Sequence, residues 1–328
     1  MLQLFRNNTP YTVLILFIFT LLVKLQVLVH PLVPPLVPDH FLYNSIIGFL
    51  GTILGQSAFG FTMLAVILLF GQSIYMTNII AKHRLFMKPS YLTAFAYISL
   101  ASIFPAFGYF SPQLLINWVL LMAVDIILRF TQPQSPGKLI FNVGFLLCLA
   151  MLISFSAVGF LLFFIIALII LRPFNASEWV VAMLGYLTPV YFFAGILFLT
   201  DQLPLLRKII GLGISLPAQI PHPLYQVGCV VGILILFSAG IYVLNDARSR
   251  QAISVRRAWT SIVVYFVVAL PVCIFTPKMQ EAAWLCCIPP LALLTSQPLN
   301  LERNKRFSNF VFYFFIVLVV FCQFTVHK

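Results

Sequence analysis

Seven carboxylate side chains occur in 328 residues, few enough for each to be weighed for chemistry. Asp39 is the most suggestive. It stands beside His40 in the stretch "HPLVPPLVPDHFLYN", after prolines that hold the chain extended. His30 and His222 fall on the same side of the membrane in the path traced below. An acid fixed at a bilayer surface can act as a general base toward a lipid-borne or soluble hydroxyl. An Asp/His group can instead hold a divalent cation, and an Asp directly ahead of a helix is a good N-cap. The residue types leave all three roles open.

The basic candidates point to phosphate. Lys24 lies inside the first apolar run, toward its outer half, where it either snorkels to the headgroups or faces inward as a point charge for a phosphate. Arg207 and Lys208, in "LPLLRKII", suit either a pyrophosphate or anionic lipid, with His222 beyond them. Asp125 and Arg129 are four residues apart, the spacing of an intrahelical ion pair, with a proton relay as the alternative role for the acid. Glu178 follows Asn175 by three residues, the spacing of a capping box.

Other chemistries have no foothold. There is no Walker-A loop, dinucleotide-binding glycine pattern, zinc-protease HExxH or GxSxG elbow. The six cysteines all fall in apolar segments without metal-ligand spacing, and read as small hydrophobes. No resident metal or cofactor is called, beyond the divalent cation that an Asp/His group could hold.

Composition fixes the setting of these residues. The chain is 62% hydrophobic and 8% charged, whereas soluble domains are about a quarter charged. Apolar runs of about 17–20 residues recur, the length that crosses a hydrocarbon core. The expected fold is therefore all-α, a polytopic transmembrane helical bundle. The N-terminal run is too long for a signal peptide and has no cleavage site after it, so it reads as a retained first span. The net charge of +12 is spread over short loops, which fits membrane topology and not nucleic-acid binding.

Lys and Arg asymmetry then orders the crossings. With the N-terminus inside, residues 10–29 go out, 59–80 return, 91–107 go out and 113–130 return. Residues 139–171 form a tight hairpin, 179–199 go out and 224–244 return. The segments 258–276, 282–296 and 308–326 complete about eleven spans. If residues 43–57 also crossed, the basic loops at 82–88, 129–138, 248–257 and 303–306 would all face outward. They therefore read as a helix lying in the outer interface, with Tyr43, Ile46, Ile47, Leu50 and Leu54 on one face. Residues 203–217 read as a second outer-surface helix.

This order of elements resembles the membrane core of the GT-C glycosyltransferases, which use polyprenyl-phosphate sugar donors. The tract "FNVGFLLCLAMLISFSAVGFLLFFIIALIILRPF" looks like their paired short fifth and sixth helices. The resemblance covers about residues 1–225 and leaves 226–328 as additional C-terminal helices. It implies a catalytic Asp in the first outer loop, here Asp39, and a polyprenyl-phosphate carrier as partner. The segments "LFRNNTPYT" and "LRPFNASEWVVAMLGYLTP" also resemble a family of Bacteroidota polytopic inner-membrane proteins, which implies a bacterial inner-membrane setting. Two further functions fit the residues. One is a non-catalytic scaffold or partner subunit of an envelope assembly, in contact with membrane lipid and another membrane protein. The other is a small-solute transporter, for which Asp125, Lys24 and the short hairpin are the only hints.

Overall fold

The computed structural model describes residues 2–6, 9–37, 40–131, 136–202, 204, 223–276, 280–301 and 304–325. Every regular element among them is helical. Eight helices are long and apolar enough to cross a membrane, from Ala58–Lys82 to Lys305–Gln323. A helical bundle follows from the composition, because a backbone in lipid must satisfy its hydrogen bonds within its own segment.

The hairpin forms as Pro136–Ile153, a tight 3-10 turn at Phe155–Gly159, and Phe160–Leu171. The first helix after it, Ala176–Leu199, packs mainly along Pro136–Ile153. Two glycines permit that approach. A Cβ on Gly144 would stand 2.8 Å from the Ala182 carbonyl, and one on Gly185 would collide with the Phe141 carbonyl.

Three of the spans expected from the sequence differ from plain helices. The first is broken at Lys24 into Pro10–Val23 and Leu25–Val29. The third contains only the nine-residue helix Leu92–Leu100, followed by a turn and a short 3-10 segment at Pro105–Gly108. The tenth is broken by a 3-10 turn, Trp284–Cys287, ahead of Ile288–Thr295. Nine helical residues reach about 14 Å, far short of a bilayer core of about 30 Å. The short pieces survive because they do not meet lipid: every residue of Leu92–Leu100 and of Ile288–Thr295 is buried, and the two helices pack on each other. Irregular backbone at membrane depth is tolerated where protein surrounds it.

Residues 41–54 form one helix, Phe41–Leu54, of about 21 Å. Tyr43 and Ile47 are buried while Ser45, Gly48 and Thr52 are exposed, as the spacing suggests, but Gly51, expected on the polar face, is buried too. Gly55 and Gln56, both at positive φ, turn the chain directly into Ala58–Lys82. The second surface helix expected at 203–217 lies, residue 204 aside, outside the described residues.

Contacts between loops sort into two sets. On one face the Arg6 guanidinium donates to the carbonyls of Leu299 (3.0 Å) and Leu301 (3.2 Å), and Ser90 donates to Asn300 (2.6 Å). On the other, the Tyr109 hydroxyl donates to the His30 carbonyl (3.1 Å) and the Tyr43 hydroxyl to the Phe110 carbonyl (3.3 Å). Each set joins only loops that the charge argument assigns to a single side.

Candidate functional site

Lys24 sits at the break in the first crossing and is 2% exposed. Its Nζ donates to the Ala101 carbonyl at 2.5 Å. Ala101 is the C-cap of Leu92–Leu100, so this carbonyl is one that the helix itself cannot satisfy. A cation at a helix C-terminus also meets the negative end of its dipole. The cavity beside Lys24, shared with Gln26, Ser102, Cys322 and Gln323, is about 10 Å³, room for one water. The structure adds an arrangement that the sequence did not suggest: the side chain is buried and its ammonium bonds a protein carbonyl.

Val37 and His40, which bracket Asp39 in sequence, are each held by the fold. The Asn44 side chain donates to the Val37 carbonyl (2.6 Å) and accepts from the Val37 amide (3.1 Å), clamping the proline linker to helix Phe41–Leu54. The N-cap position of that helix is His40, which is buried with its ring edge-on to Tyr43. Asp39 itself, with Arg207, Lys208 and His222, lies outside the described residues. Among the described residues, no three His, Cys, Asp or Glu side chains converge as a metal site.

Asp125 is a hub. Its carboxylate accepts from Lys82 Nζ (2.7 Å) and from Arg129, and its other oxygen meets His83 Nε2 (2.9 Å). The spacing gave Arg129. Lys82 and His83 join from the end of Ala58–Lys82, a tertiary contact that no local spacing encodes, although the topology had put the loop at 82–88 on the same face. Glu178 pairs with Arg172 at 3.0 Å, whereas Asn175 caps Ala176–Leu199 through Ser177 N (3.2 Å). Asn175 therefore caps the helix, but through the Ser177 amide and without the reciprocal Glu178 bond that a capping box needs.

A second polar group was missed by sequence reading. Its members lie in the middle of apolar spans and serve the break at Trp284–Cys287. Asn117 donates to the Leu285 carbonyl (2.9 Å), Tyr265 to that of Cys286 (3.4 Å), and Cys273 Sγ to that of Ala283 (3.1 Å). Beside them Tyr97 donates to Gln72 Oε1 (2.5 Å), and Gln72 to the Leu114 carbonyl (2.7 Å). The cysteines also do more than fill space: Cys229 and Cys322 stand 2.7 Å apart, and Cys273 and Cys287 3.4 Å apart, sulfur to sulfur.

Lys24, Asn117, Tyr265 and Cys273 thus each bond a backbone carbonyl at a helix end or break. The larger opening is apolar, a groove of about 470 Å³ between Leu236, Tyr242, Phe307 and Phe314. No curated protein and no solved structure matches the chain. One protein family does, from residue 41 at the start of helix Phe41–Leu54 to residue 328, so that Lys24, Asp39 and His40 precede the matched region. Since the match covers well over half its length, the chain belongs to that family, a family of unknown function (DUF6427).

Proposed function

We propose that this protein is a non-catalytic component of a bacterial envelope assembly, a membrane-embedded scaffold or partner subunit. The observation that carries this reading is the closed surrounding of Lys24. Lys24, a buried cation that could have received a phosphate, is bonded to Ala101, beside a cavity with room for a single water. The polar groups of the core have similar work, since Asn117, Tyr265 and Cys273 serve carbonyls at a helix break. A scaffold needs no polar pathway, only a rigid bundle and an apolar outer surface. The test is purification from native membranes in mild detergent. A second membrane protein at fixed stoichiometry is expected, and a lone chain whose Asp39→Asn variant alters envelope glycans would overturn the reading.

The clamp around Asp39 favours a second reading, GT-C-like handling of polyprenyl-phosphate-linked sugars at the outer face. The Asn44–Val37 bonds and the buried His40 tether the residues that bracket that acid in sequence, which supports the reading. In this reading Asp39 is the base, and Arg207, Lys208 and His222 contact phosphate. Asp39→Asn would then abolish glycan transfer at unchanged protein level, and a normal glycan profile would rule the reading out.

A further inference from the structure

We propose that Cys229 and Cys322 form a disulfide that ties helix Pro223–Ala247 to the last helix, Lys305–Thr325. The two residues are 93 positions apart in sequence, both are buried, and their sulfurs face each other at 2.7 Å. Bonded sulfurs lie about 2.05 Å apart, so closure needs a movement of less than about 1 Å.

Their depth in the fold supports the same conclusion. Cys229 is in the first turn of the candidate span Gln226–Ala247, and Cys322 is in the last turn of Lys305–Gln323. Both therefore lie at the end of the bundle that gathers the first outer loop. The next residue, Gln323, donates to the Val23 carbonyl at 2.5 Å, which fixes the end of the last helix on the opposite side. Positive-inside bias assigns this end to the outer face, where oxidising conditions let disulfides form and persist. The other pair differs. Cys273 and Cys287 are farther apart at 3.4 Å, and the Cys273 thiol is engaged with the Ala283 carbonyl at 3.1 Å. One bridge is expected, with Cys148, Cys273, Cys286 and Cys287 remaining thiols.

The chemistry is thiol–disulfide exchange with a disulfide-donating thiol oxidase of that compartment. The thiolate of one cysteine attacks the donor disulfide and expels one donor thiolate, leaving a mixed disulfide. The second cysteine attacks that sulfur and expels the other donor thiolate. The two cysteines lose two electrons and two protons, and the donor disulfide becomes a dithiol.

Trypsin separates the two positions into the peptides 209–248 and 307–328, each with one cysteine. Membranes are denatured in the presence of an alkylating reagent, then digested without reductant. The expected product is the two peptides joined, two hydrogens lighter than their sum, and separating on reduction. The Cys229→Ser variant should release peptide 307–328 in alkylated form. Recovery of both peptides alkylated from the unreduced wild-type protein, or of either one joined to a different cysteine, overturns the proposal. The readout does not depend on whether the protein is a scaffold or an enzyme.

Discussion

Replacing Lys24 by methionine keeps the length and apolar stem of the side chain and removes its donor. The Ala101 carbonyl then loses its 2.5 Å bond at a site where Lys24 is only 2% exposed. An unsatisfied buried polar group costs about 1–3 kcal/mol. The adjoining cavity of about 10 Å³ can admit one water and offset part of that cost. A loss of roughly 1–2 kcal/mol is therefore expected, on the order of tenfold in the unfolding equilibrium. It should appear as a melting temperature lower by a few degrees, followed in detergent by the fluorescence of the four tryptophans. Burial of a cation opposes this effect, so the sign of the change is informative. An unchanged or higher melting temperature would refute the structural role of Lys24. It would mean that the buried charge is a net cost retained for anion chemistry, and the scaffold reading would fall with it.

Two other substitutions probe the packing. Asp125→Asn leaves Lys82, His83 and Arg129 crowded around a neutral amide. Because Lys82 and Arg129 are 47% and 34% exposed, screening reduces the cost of breaking a buried pair to roughly 1–3 kcal/mol. Its thermal effect should be less than additive with that of Arg129→Gln, and full additivity would count against the hub. Gly185→Ala drives a Cβ into the Phe141 carbonyl and should destabilise by about 1–3 kcal/mol. Gly195→Ala in the same helix meets nothing within 4 Å and should be neutral or slightly stabilising, so equal melting temperatures for the two variants would contradict the close approach.

The helical bundle, the hairpin at 139–171 and the faces of the Phe41–Leu54 helix were legible in the sequence because apolar length and periodicity encode them locally. The broken third and tenth crossings were not. Residues 91–107 and 282–296 carry no charge and are mostly apolar, and hydropathy cannot tell a helix that meets lipid from a shorter one enclosed by protein. Lys24 illustrates the same limit. A lone cation in an apolar run signals an unusual site, but the carbonyl it serves belongs to a residue 77 positions away. Asp125 was half legible: the partner four residues on could be read from spacing, and the two brought by another helix could not.

The charge asymmetry of the loops puts the segment after the first crossing and the loop at 82–88 on opposite sides of the membrane. Leu36 and Met87 are both exposed, while all six native cysteines are buried, so single cysteines at these two positions can be labelled over a low background. In sealed cells treated with a membrane-impermeant maleimide, Leu36→Cys should react at once and Met87→Cys only after permeabilisation. Equal labelling of both in sealed cells would contradict the account.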